Sequence, residues 1–122
     1  MQIIPIIRSS DLARSIDFYT QVLDFAPTYP QDSPAEFPFS LSSNGATIQL
    51  SHEGHFRTPL NVFLDSPAEV DALFDKYVGR GLNHDYPDSP VHGSLLDQTW
   101  GSREFYVNDP DGNTLRFCAW YK

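Results

Sequence analysis

The sequence predicts an α+β fold of two βαβββ modules whose curved, mixed sheets line clefts. Two observations carry this prediction. An order of strand, helix and strands occurs twice along the 122 residues. The landmarks also recur in the same relative places: Phe18 in the first helical stretch matches Phe74 in the second, and Asn44-Gly45 matches Asp111-Gly112. A duplicated supersecondary unit of this kind fits better than a sandwich or a doubly wound sheet, and open curved sheets leave concave faces.

Each element has its own signal. Ile3 to Ile7 is an apolar strand, with Pro5 marking it as an edge or irregular strand because proline has no ladder donor. Ser10 or Asp11 supplies an N-cap oxygen to a helix whose apolar stripe runs through Leu12, Ile16, Tyr19 and Leu23. The proline-rich stretch from Pro27 to Pro38 predicts a loop or a short edge strand. Phe37, Phe39 and Leu41 alternate with polar residues, Asn44-Gly45 makes a hairpin turn, and Ala46 to Ser51 returns with Ile48 and Leu50 on one face.

The second module opens on the strand Leu60 to Leu64. Ser66-Pro67-Ala68-Glu69 is a capping box with proline at the first helical position. Val70, Leu73, Phe74, Tyr77 and Val78 form the apolar face, and Gly79 or Gly81 ends the helix. Strands follow at His92 to Leu96, Arg103 to Val107 and Thr114 to Trp120, the last two joined by the turn Asn108-Asp109-Pro110-Asp111-Gly112-Asn113. One domain over residues 1–122 is expected, with modules of about 1–56 and 57–122.

Composition narrows the function classes. Sixteen acidic residues against eight basic ones give a formal charge of −8, which argues against nucleic acid and anionic membranes. It favours a cationic ligand if the charge lines a cleft. The single cysteine, Cys118, lies in an apolar run and is expected to be a packed strand thiol. The sequence does not open on the charged-then-apolar pattern of a signal peptide, and no apolar run approaches membrane-spanning length, so a cytoplasmic protein is expected.

The stretch Trp100-Gly101-Ser102-Arg103-Glu104-Phe105-Tyr106-Val107-Asn108-Asp109-Pro110-Asp111-Gly112-Asn113-Thr114-Leu115-Arg116-Phe117 resembles the signature of the glyoxalase/bleomycin-resistance/dioxygenase (vicinal-oxygen-chelate) superfamily. Its Trp-Gly-x-Arg-Glu-Phe opening is similar to the bleomycin-resistance branch. Ser10 to Tyr19 with Val22-Leu23-Asp24-Phe25 resembles the first-module helix of that superfamily, and Pro67 to Leu73 the second. The resemblance implies the glyoxalase/bleomycin-resistance fold, a homodimer and a small-molecule ligand in the clefts. In the bleomycin-resistance branch it implies sequestration of a planar, cationic antibiotic, and so antibiotic resistance.

Many members of the superfamily hold a divalent metal. Matching the chain to that pattern places Ile4 or Pro5, Gln49, Asn61 and Arg116 at the ligand positions, where only Gln49 suits a metal and the Arg116 cation opposes one. The resemblance therefore implies a binding protein with no metal, no other cofactor and no catalytic residues. Two alternatives stay open: a metal-dependent glyoxalase- or dioxygenase-type enzyme, and a binding protein of this fold for another ligand with no resistance role. His52-Glu53-Gly54-His55 lacks the helical spacing of a zinc motif, and His84 and His92 are expected at the surface. Phe39, Gln49, Asn61, Trp100, Arg103 and Arg116 are the candidate ligand contacts, although alternation places Phe37 and Phe39 on the core face. Trp100 is expected either to stack on a ligand or to plug the module junction.

Overall fold

The computed structural model describes residues 1–28, 39–52, 59–86 and 92–121. Phe37, Pro38, Glu53, Gly54 and His55 lie outside them. In chain order the elements are β1 (Ile6–Arg8), α1 (Leu12–Asp17), a π-helical turn (Phe18–Val22), β2 (Ala26–Pro27), β3 (Phe39–Ser43), β4 (Ala46–Ser51), β5 (Leu60–Phe63), α2 (Pro67–Gly79), β6 (Leu96–Asp97), β7 (Ser102–Asn108) and β8 (Thr114–Trp120). They form two four-stranded mixed sheets of matching topology, β1-β4-β3-β2 and β5-β8-β7-β6. In each sheet the first strand is parallel to its neighbour and the other pairings are antiparallel. The chain thus contains two βαβββ modules.

Two compact units divide the chain: Met1–Thr58 with Asp109–Asn113, and Pro59–Asn108 with Thr114–Lys122. The turn between β7 and β8 therefore belongs to the first unit, an excursion that the sequence repeat does not announce.

In the first unit β1 begins at Ile6 rather than Ile3. The carbonyl of Pro5 still accepts from Gln49 N at 2.9 Å, but the proline itself offers no N–H to the ladder. Asp11 caps α1 by accepting from Arg14 N. The expected single helix changes at Phe18 into a π turn, in which Leu23 N reaches back to the Phe18 carbonyl at 3.2 Å. Here Thr20 Oγ1 donates to the Ile16 carbonyl at 2.7 Å and competes with the backbone for it. The wider turn still buries Tyr19 and Leu23 completely, alongside Ile7, Leu41 and Leu50. The Asn44-Gly45 hairpin has positive φ at both residues, 49° and 83°.

Asp109 organises the turn that joins this unit. Its Oδ1 accepts from the backbone N of Asp111 at 2.9 Å and of Asn113 at 2.8 Å. Its Oδ2 accepts from Tyr19 Oη and Asn113 Nδ2, both at 2.8 Å, and Asn113 Nδ2 also donates to the Arg8 carbonyl at 2.7 Å. Burial raises the Asp109 carboxyl above the ordinary aspartate range, outweighing these hydrogen bonds. Burial, then the nearby Asp109 carboxylate, pushes the Tyr19 phenol well above its usual value.

In the second unit Ser66 caps α2 by accepting from Glu69 N, and Glu69 Oε2 accepts in return from Asp65 N at 3.1 Å. Gly81, at φ 96°, follows the helix end. The expected strand from His92 to Leu96 is reduced to Leu96–Asp97. Upstream of it, Gly93 is pressed so close to the His84 backbone that a Cβ would stand 2.1 Å from the His84 carbonyl oxygen. No other side chain fits there without backbone movement. Among the described residues, no helix is long and apolar enough to cross a membrane.

Candidate functional site

The sheet of the second unit has two faces of opposite chemistry. Successive residues of a strand point to opposite faces, and the β7–β8 register decides which ones share a face. Phe105 opposes Phe117 and Val107 opposes Leu115, and all four are buried. Phe105 and Phe117 stack at 5.1 Å, with Phe74 and Tyr77 of α2 packed edge-on against them. This is the core face. The other face pairs Ser102, Glu104, Tyr106 and Asn108 with Trp120, Cys118, Arg116 and Thr114. The parallel β5 register sets Asn61 beside Arg116 and Phe63 beside Cys118.

At the centre of this second face is a buried ion pair. The Glu104 side chain has no exposure, and its Oε2 accepts from Arg116 Nε at 2.9 Å and also from Arg116 Nη2. Ser102 Oγ donates to the same oxygen at 2.8 Å, while Gln98 Nε2 donates to Oε1 at 2.9 Å. On its own, burial would raise the Glu104 carboxyl. The hydrogen bonds from Arg116, Ser102 and Gln98 outweigh it and leave the group below the usual glutamate value. Arg116 is correspondingly held above its ordinary value by Glu104.

A further layer supports the pair. His92 Nδ1 lies 2.8 Å from the Ser94 carbonyl, which can only accept, so this nitrogen carries the proton. Nε2 then accepts from Gln98 Nε2 at 3.0 Å. The His92 ring also stands edge-on to Tyr106 at 5.0 Å. His92 is therefore built into the network, and the half-buried His84 packs edge-on against Phe74 at 5.4 Å, so neither is the loose surface residue that its polar neighbours suggest.

Beside the ion pair stand two exposed aromatic rings. Phe63 and Trp120 stack with centroids 6.2 Å apart and planes 25° from parallel, although they are 54% and 51% exposed. Trp120 sits one diagonal step from Phe63 across β8, a distance that long side chains bridge. Cys118, between them in register, is buried as expected, and burial raises its thiol.

Of the candidate contacts, Asn61 and Arg116 come together: Arg116 Nη1 lies 3.4 Å from Asn61 Oδ1. Arg103 does not join them. It shares the parity of Phe105 and Val107, and its guanidinium is bound to Asp71 of α2 and, at 3.0 Å, to Asp97. Phe39 is likewise on a core face, buried with Leu41 and paired with Leu50. Trp100 is 56% exposed, in a turn closed by Gly101 N donating to the Gln98 carbonyl at 3.0 Å.

Gln49 belongs to the polar face of the first unit's sheet. Its Nε2 donates to Ser40 Oγ at 3.1 Å, in a row continued by Ser42 with Thr47 at 3.0 Å and Thr28 with Ser42 at 2.7 Å. Ile6, paired with Gln49, is 56% exposed. Sequence reasoning missed Glu104, Gln98, His92 and the stacking of Phe63 with Trp120.

The residues that the resemblance matches to metal positions do not have the chemistry of a divalent-cation site. Ile4 has no donor atom. Asn61 offers its oxygen to an arginine, and Arg116 places a fixed positive charge where a ligand would be needed. Among the described residues, no three histidine, cysteine, aspartate or glutamate side chains gather as a metal site.

The family model of the Glyoxalase/Bleomycin resistance protein/Dioxygenase superfamily matches residues 3–117, so the chain belongs to this superfamily. Among its relatives is the bleomycin resistance protein of Geobacillus stearothermophilus, 28% identical over 96% of this chain and 95% of the relative. A bleomycin-binding protein complexed with bleomycin shares the fold, with a TM-score of 0.73 and 21% identity over 98% of each chain. So does a lactoylglutathione lyase from Agrobacterium tumefaciens, with a TM-score of 0.72 and 16% identity over 97% of this chain and 92% of that one. One fold thus serves binding and catalysis, and the side chains of the site must distinguish them.

Proposed function

We propose that this protein is a metal-free binding protein that sequesters a planar, cationic, antibiotic-like molecule in the clefts of a cytoplasmic homodimer. The observation that carries this reading is the exposed Phe63–Trp120 stack beside an arginine already neutralised by Glu104. Stacked rings offer a flat apolar surface to a flat ligand, and their π faces attract a cationic group. The formal charge of −8 favours the approach of a cation and disfavours an anion. Asn61 and Arg116 supply hydrogen bonds that orient the ligand, and Trp100 is a third exposed ring available to it. The relatives named bleomycin resistance proteins make bleomycin the first probe.

Calorimetric titration with metal-free bleomycin tests the reading. Saturable binding near one ligand per chain, unchanged by added zinc, is the expected result. Absence of binding removes bleomycin as the ligand. Heat from zinc alone would restore the metal-dependent enzyme as the better account.

A further inference from the structure

Glu104 fills the recognition fork of the only arginine on the polar face of the second sheet, among the described residues. A guanidinium has five N–H donors arranged to grip a carboxylate or phosphate. In Arg116, Nε and Nη2 are both given to Glu104 Oε2, and Nη1 is directed at Asn61 Oδ1. The seat that an anionic ligand would take is already occupied by the protein's own carboxylate.

That carboxylate is firmly held. It has no solvent exposure and accepts four hydrogen bonds, from Arg116 Nε, Arg116 Nη2, Ser102 Oγ and Gln98 Nε2. These use about all the acceptor capacity of an ionised carboxylate. Swinging Glu104 aside for an incoming anion would strand a buried charge, which is costly. The Arg116 side chain retains 15% exposure, and the pair as a whole is neutral.

We propose that Glu104 is a specificity-determining residue: an internal counter-anion that closes the Arg116 fork to carboxylates and phosphates and holds the guanidinium to donate to neutral acceptors, such as amide carbonyls or ring nitrogens. The proposal rests on the assignment of this face as the ligand site. It deepens that assignment by naming what the face rejects. Ser102 and Gln98 are positioning residues that act through Glu104.

The test compares wild type with Glu104→Gln, using inorganic phosphate and metal-free bleomycin as separate probes in calorimetry. Wild type should show no saturable phosphate binding. Glu104→Gln should gain it, at least about tenfold above the wild-type limit, and the double variant Glu104→Gln, Arg116→Gln should lose it again. Bleomycin affinity should fall in Glu104→Gln as the guanidinium loses its anchor. If bleomycin fails to bind wild type, the functional reading falls while the phosphate comparison still decides the role of Glu104. A folded Glu104→Gln that binds phosphate no better than wild type overturns the proposal. If that variant unfolds, Glu104→Ala in acetate decides instead. Acetate should raise its thermal midpoint above that in equal chloride, because the carboxylate re-enters the vacated seat, and equal midpoints overturn the proposal.

Discussion

Asp109→Ala should lower the thermal midpoint by about 10 °C, corresponding to a loss of about 3 kcal/mol for a domain of this size. The carboxylate accepts from Tyr19 Oη, Asp111 N, Asn113 N and Asn113 Nδ2, and both Tyr19 and Asn113 are buried. Alanine leaves the Tyr19 hydroxyl and the Asn113 backbone N–H without their acceptor. Each buried orphan costs about 1–3 kcal/mol, far more than the net worth of an ordinary hydrogen bond. The burial cost of the carboxylate is relieved at the same time, which keeps the estimate below the sum of the orphans. Asp109→Asn retains one carbonyl acceptor and should lose about half as much. Thermal unfolding followed by circular dichroism measures both, and an alanine variant within about 2 °C of wild type contradicts this account of the turn.

Trp120→Ala should weaken ligand binding about 30-fold while changing stability little. Interface residues that dominate binding are commonly large aromatics, and truncating one costs about 2 kcal/mol or more. Trp120 is half exposed and stacks on Phe63, itself half exposed, so the folded core loses little when the indole is removed. Phe63→Ala should weaken binding in the same direction, by less, because the smaller ring covers less ligand. Titration of each variant with metal-free bleomycin measures the effect. An unchanged affinity in Trp120→Ala would remove the stack from the site.

Much of this arrangement was legible in the sequence because the elements that build it are strongly marked. The capping box at Ser66, the Asn44-Gly45 turn and the repeated order of elements each have a local cause, and all appear in the fold. Strand parity was also available. Arg103 is in phase with Phe105 and Val107, and Phe39 with Leu41, which puts both on core faces. The motif around Arg103 marks it as a ligand contact, whereas its parity assigns it to the core face.

Other features depend on register, which a single strand does not carry. Whether Glu104 or Arg103 shares a face with Arg116 is decided by the length and shape of the turn from Asp109 to Asn113, and a one-residue slip exchanges the two faces. The Phe63–Trp120 stack needs the parallel β5–β8 register, which sets Phe63 opposite Cys118 and so diagonal to Trp120. The π turn at Phe18 coincides with a side-chain hydrogen bond from Thr20 to the Ile16 carbonyl, which helical periodicity does not register.

Under the proposed function, the Asn61, Phe63, Arg116 and Trp120 face holds the ligand without a metal. Nuclear magnetic resonance mapping with metal-free bleomycin tests it most directly, using backbone amides, the Trp120 indole N–H and the Arg116 Nε–H. Saturable shifts concentrated on those four residues and their strand neighbours, identical with and without zinc, are expected. Shifts confined to α2, Asp71 and Arg103 on the opposite face, or shifts that appear only with zinc, would contradict it.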